Sequence, residues 1–107
     1  MITFFQKKQN KVEEKIRAHI HVSGRVQGVY YRETCKKKSN KLGVTGWIKN
    51  LKDGRVEAIF EGDESKVRKM VDWARGGSIW ASVNALDVVW EDYKKEFLDF
   101  EIRYDIN

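Results

Sequence analysis

An α+β sandwich, with two helices on one face of a mixed and mainly antiparallel sheet, is the architecture this sequence predicts. Three observations carry it. Apolar residues recur with a period of two in several short stretches, the pattern of half-buried strands. Two further stretches have helical spacing, and each is closed by glycine. Between two of the strand stretches stands Asp53-Gly54, a strong signal for a tight hairpin. The chain has 107 residues, 41% of them apolar, which supports one core and not two.

Residues 1–15 are expected to form a flexible tail, because residues 6–14 are polar except for Val12. Residues 16–107 are expected to form the domain. Ala18, Ile20 and Val22 alternate with Arg17, His19 and His21, so the first strand has one apolar face. Gly24-Arg25-Val26-Gln27-Gly28-Val29 breaks that alternation. From Tyr31 the spacing is helical, with Tyr31, Thr34, Cys35, Lys38-Ser39 and Leu42 on one side and Gly43 as the stop. Residues 44–49 read as the second strand and residues 55–61 as the third, with Val56, Ala58 and Phe60 on one face. Asp63 is the expected N-cap of a second helix, whose stripe is Val67, Met70, Val71 and Ala74. Gly76-Gly77 ends it. Residues 79–90 are rich in strand formers and long enough to hold a bulge. After a polar turn over residues 91–96, Phe100, Ile102 and Tyr104 alternate as a short edge strand. The order is β-α-β-β-α-β with that extra strand. Right-handed crossover sets the first strand beside the third, and the hairpin sets the second beside the third. This is the split βαβ, or ferredoxin-like, arrangement.

Composition excludes several classes. No apolar run approaches the roughly 18 residues needed to span a bilayer. Met1 to Phe5 is too short for the apolar region of a secretory signal, about 7 to 15 residues. One cysteine, Cys35, rules out an internal disulfide and any Cys-rich zinc site. A cytoplasmic monomer is the expectation. The net charge of +5 favours anions without choosing among them.

Chemistry is expected where the first strand meets the first helix. The N–H groups that open a helix have no intrahelical acceptor, and a glycine-containing loop can turn them inward as a nest for an anion. Arg32 follows in the first helical turn, where the helix dipole disfavours a cation. A phosphate explains it better than stability does, since its planar fork binds two oxygens at once. Asn50 ends the second strand. On its own it reads as a turn residue.

These residues carry a resemblance. Gly24-Arg25-Val26-Gln27-Gly28-Val29-Tyr30-Tyr31-Arg32 resembles the acylphosphatase signature G-x-V-Q-G-V-x-[FY]-R. The stretch Gly46-Trp47-Ile48-Lys49-Asn50-Leu51-Lys52-Asp53-Gly54-Arg55-Val56-Glu57 resembles that family's second signature, G-[WYF]-[VI]-x-N-x-x-D-G-x-V-E. The resemblance implies the ferredoxin-like fold, the small stand-alone form, and hydrolysis of the carboxyl–phosphate bond of acyl phosphates. It implies that Arg32 binds the phosphate and Asn50 positions the attacking water. It further implies that the backbone amides of Gln27, Gly28, Val29, Tyr30 and Tyr31 form the phosphate cradle, with no metal and no organic cofactor. Departures from the family pattern are Gly76-Gly77 in place of Gly-Pro, Lys38 at an apolar position, its stem expected along the core, and Leu51 after Asn50.

Other residues take ordinary readings. His19 and His21 share a strand face and could bind zinc, but with no third ligand evident they are expected to face solvent. Cys35 is expected to fill the core, Trp47, Trp73, Trp80 and Trp90 to pack in the core or its rim, and the lysines of the first helix to be solvated. An RNA-binding domain of the same architecture would need stacking aromatics on the first and third strands, and the outward positions of these strands offer no paired aromatics. No nucleic acid and no membrane are expected among its partners.

Overall fold

The computed structural model describes residues 12–104. Seven elements follow one another: β1 (Lys15–Arg25), α1 (Tyr31–Leu42), β2 (Thr45–Asn50), β3 (Val56–Asp63), α2 (Glu64–Ala74), β4 (Ser82–Glu91) and β5 (Phe100–Arg103). The five strands form one sheet in the order β4-β1-β3-β2-β5. The β1–β3, β1–β4 and β2–β3 pairs are antiparallel, and β5 lies parallel to β2.

The core forms where the predicted stripes meet. Ala18, Ile20 and Val22 of β1 and Val56, Ala58 and Phe60 of β3 are fully buried, with Ile48 of β2. Against them pack Tyr31 and Cys35 of α1 and Val67, Met70, Val71 and Ala74 of α2. Phe100 of β5 stacks on Phe60, ring centroids 5.8 Å apart, which closes the sheet at its β5 edge. Gly46 sits at φ 140°, and a Cβ there would collide with the carbonyl of Ile59, so no side chain fits at this position.

Several elements differ from the sequence reading. β1 continues past Val22 to Arg25, through a register shift between Ser23 and Gly24 against β4. Ser23 faces Ala85 and Gly24 faces Val83, so Asn84 is the extra residue and the bulge lies in the fourth strand as expected; for β1, pairing with a partner overrides the broken alternation. β4 starts at Ser82, and Ile79 and Trp80 stay exposed in the turn before it. Ser39 takes the core position in α1 and Lys38 is exposed, so the lysine stem does not run along the core.

Arg17 lies on the helix-free face of β1, yet it is only 6% exposed. Glu96 and Phe97, from the connection before β5, cover it: Nη1 donates to Glu96 Oε1 at 2.7 Å, and the guanidinium lies 5.5 Å from the Phe97 ring centre. Asp63 occupies the N-cap position of α2 but makes no capping bond and pairs with Lys15 instead. The cap comes from before β1. Glu64 N–H donates to the Glu14 carbonyl at 3.0 Å, and Ser65 N–H donates to the Glu13 carboxylate at 2.9 Å. Of the expected tail, residues 1–11 lie outside the described residues.

Candidate active site

The chain leaves β1 at Arg25 and reaches α1 through residues 26–30. Val26 and Val29 are buried and anchor this loop to the core. The Ser78 hydroxyl holds the Val29 carbonyl from below. Gly28 adopts φ 74° and Tyr30 φ 64°, both left-handed. Left-handed residues interleaved with ordinary ones curl successive N–H groups toward one side, the geometry of an anion nest. A Cβ on Gly28 would meet nothing within 4 Å, so glycine is needed here for its backbone angle and not for space. Tyr30 has no such freedom, and holding it there costs about 1–2 kcal/mol.

The first helical bond, Thr34 N–H to the Tyr30 carbonyl, is 3.1 Å long. Among the described residues, none accepts a hydrogen bond from the backbone N–H of Gln27, Gly28, Val29, Tyr30, Tyr31 or Arg32. α1 also has no side-chain cap. A hollow of about 250 Å³ opens at this point, lined by Val26, Gly28, Tyr30, Tyr31, Arg32 and Glu33. A larger one, about 490 Å³, lies between residues 12–14 and the start of α2. Its lining includes Glu13, Glu14 and Glu64, which repel an anion, and its helix N-terminus is already capped.

Arg32 lies half-buried at the rim of the smaller hollow, and its guanidinium lies 5.4 Å from the ring centre of Tyr104, just past β5. This is the distance of a cation–π contact. Tyr31 contributes its backbone only: its side chain is buried and its hydroxyl donates to the Ala74 carbonyl at 2.7 Å. Burial pushes that phenol well above its ordinary range, so it does not serve as an acid.

Asn50 is the last residue of β2, opposite Val56. It is not among the residues lining the hollow; it stands in the adjoining hairpin. Its Oδ1 is buried and has no hydrogen-bond partner among the described residues. A buried acceptor of this kind calls for a donor, and a water molecule supplies one.

The loop and the hairpin are tied by a side chain whose role the sequence reading missed. Gln27 Nε2 donates to the Leu51 carbonyl at 2.8 Å and to the Arg55 carbonyl at 2.9 Å. Leu51 follows Asn50 directly, so Gln27 ties the loop to the residue next to Asn50. Asp53 shapes the turn itself. Its carboxylate accepts from Arg55 N–H at 3.1 Å and from Arg55 Nε at 2.9 Å. The backbone bond leads and the guanidinium follows in holding that carboxyl below its usual range.

The acylphosphatase family model matches residues 18–102. The chain is 52% identical over 90 residues to an acylphosphatase of Pyrobaculum calidifontis, covering 83% of this chain and 82% of that relative. Among solved structures it resembles the acylphosphatase of Bacillus subtilis, with TM-score 0.79 and 34% identity over 83% of this chain and 99% of that one. An acylphosphatase from Coxiella burnetii gives TM-score 0.78 and 33% identity over 94% and 100% of the two chains. The hollow and the hairpin lie within the matched span, and the chain belongs to the acylphosphatase family.

Proposed function

We propose that the nest of residues 27–31, Arg32 and Asn50 together hydrolyse the carboxyl–phosphate bond of small acyl phosphates. The observation that supports this reading is the run of unclaimed backbone N–H groups beside Arg32, stitched by Gln27 to the hairpin of Asn50. In phosphoryl transfer, negative charge spreads over the equatorial oxygens, and preorganised donors stabilise it. The amides of Gln27, Gly28, Val29, Tyr30 and Tyr31 cradle those oxygens, and the Arg32 fork takes two of them. Asn50 Oδ1 accepts a hydrogen from the attacking water and aims its lone pair at phosphorus. An amide cannot act as a base, so the effect of Asn50 is positioning. The water proton passes to the phosphate or to the departing carboxylate. A carboxylate is a good leaving group, which makes a strong general acid unnecessary. The reading calls on no metal or organic cofactor, and it takes the protein as a cytoplasmic monomer. No helix among the described residues is long and apolar enough to cross a membrane.

The test is metal-free release of phosphate from benzoyl phosphate, with p-nitrophenyl phosphate as the control ester. The acyl phosphate is hydrolysed and the ester is not. Arg32→Ala abolishes both phosphate binding and turnover. Asn50→Ala lowers kcat by roughly 10² while inorganic phosphate still inhibits at its wild-type concentration. Near-normal turnover by either variant refutes the assignment.

A further inference from the structure

The helix-free face of the sheet carries a second polar cluster, away from the nest. His19 and His21 project from β1 on that face, and β3 brings Glu57 directly opposite His21. Both imidazoles aim Nε2 at one carboxylate oxygen. Glu57 Oε2 lies 2.6 Å from His19 Nε2 and 3.5 Å from His21 Nε2. The imidazole rings are 5.0 Å apart, and the three ligand atoms all fall within 4.8 Å of one another. Glu57 is a third side chain able to ligate a metal, and strand pairing brings it beside the two histidines.

We propose that His19, His21 and Glu57 form a binding site for a divalent transition metal, zinc being the best match. Two neutral imidazoles and a carboxylate are a common zinc donor set. Bonds of about 2.0–2.1 Å at tetrahedral angles place donors roughly 3.3 Å apart. The present separations run from 2.6 Å up to as much as 4.8 Å and bracket that value, so side-chain rotations that move the donor atoms by roughly 1 Å close the site. The backbone is already rigid, because β1 is the sheet's second strand and is paired on both sides. The three side chains are 26%, 28% and 17% exposed, which leaves a path for the ion and room for a water as fourth donor.

A fourth residue stands behind His19. Glu91 Oε2, on β4, lies 3.6 Å from His19 Nδ1. In the metal-free site Nε2 carries the proton that meets Glu57; an ion that takes Nε2 displaces that proton and leaves Nδ1–H facing Glu91, a partner that orients the ring. Glu91 is itself held by Arg17 Nε at 2.8 Å. A bound ion would thus join β1 to β3 and, through Glu91, engage β4.

The experiment uses the full chain, stripped of metal, and Zn²⁺ alone in competition with a chromophoric chelator. Co²⁺ serves as a spectroscopic substitute. One ion binds per chain, Co²⁺ gives the intense visible bands of a four-coordinate site, and Zn²⁺ raises the melting temperature. His21→Ala and Glu57→Gln each weaken binding more than 10²-fold. Glu91→Gln weakens it about 10- to 100-fold, the usual cost of losing an outer-shell partner. Benzoyl phosphate turnover of His21→Ala stays at the wild-type rate and shows that the variant is folded. Failure of the wild type to take Zn²⁺ from the chelator overturns the proposal. So does undiminished binding by His21→Ala and Glu57→Gln, which would place the ion elsewhere.

Discussion

Gln27 is the residue on which the two halves of the site depend. Its side-chain amide has two donors, and each meets a carbonyl of the β2–β3 turn, at Leu51 and at Arg55. Gln27→Ala keeps every backbone amide of the nest and removes only that tie. The residue next to Asn50 then loses its tie to the loop, and a displacement of about 1 Å is enough to cost up to 10²-fold in rate. The expected result is a kcat lowered by ten- to a hundredfold with the inhibition constant for phosphate little changed. Gln27→Glu should be worse, because it sets a carboxylate against two carbonyl oxygens. Steady-state kinetics with inorganic phosphate as competitor separates the two effects. A phosphate affinity that falls as far as kcat would assign Gln27 to the cradle instead. Tyr104 acts at the same scale, covering one side of Arg32 from the far end of the chain.

The two helices open in opposite ways, and only α1 leaves its first N–H groups without an acceptor among the described residues. α1 starts from a left-handed Tyr30 without a capping side chain, so its N–H groups face the hollow. At α2 the Glu13 carboxylate and the Glu14 carbonyl already take the N–H groups of Ser65 and Glu64. The carboxylate also accepts from Ser65 Oγ at 3.0 Å. Glu13→Ala should lower stability by about 1 kcal/mol, the usual cost of a lost cap. Asp63→Ala should matter less, since an exposed ion pair with Lys15 contributes little. Denaturant midpoints of the two variants check this order. An equal or larger loss for Asp63→Ala would return the cap to the residue that the sequence pattern names.

At the scale of the whole molecule, Arg17 links three strands and the connection before β5. It reaches Glu61 on β3 at 3.1 Å, Glu91 on β4 at 2.8 Å and Glu96 at 2.7 Å. Burial pulls the guanidinium pKa down, but the bonds to Glu96, Glu91 and Glu61 outweigh it and hold it above its ordinary value. Glu61 is fully buried and also accepts the backbone N–H groups of Lys94 and Glu96 at 2.8 and 3.0 Å. Arg17→Met leaves that carboxylate buried without its cation and should cost about 3–5 kcal/mol. The bond from Arg17 holds the Glu91 carboxyl below the usual carboxylate value of 4.5. A depressed carboxyl stabilises the fold above its unfolded pKa, and that contribution is lost as pH falls through the folded value. The wild type should therefore lose stability below about pH 4.5, and Arg17→Met should show a shallower acid slope. Urea midpoints between neutral and acid pH measure both effects. A slope unchanged by the substitution would show that other carboxyls control the acid limb.

Local periodicity was enough for the fold. The stripes of β1, β3 and α2 recur at fixed spacing, and burial selects for that spacing wherever the element packs. The loop with Gly28 and Arg32 was legible for the same reason, since a left-handed backbone and a misplaced cation are facts about neighbours in the chain. What escaped the sequence joins residues far apart along it: Gln27 to Leu51 across 24 positions, His19 to Glu57 across 38, Glu13 to Ser65 across 52, Arg17 to Glu96 across 79. Strand register and helix docking create each of these contacts. A shift of one residue in register turns a side chain to the other face of the sheet, so only the assembled structure decides that Arg17 is buried and that two histidines share a carboxylate.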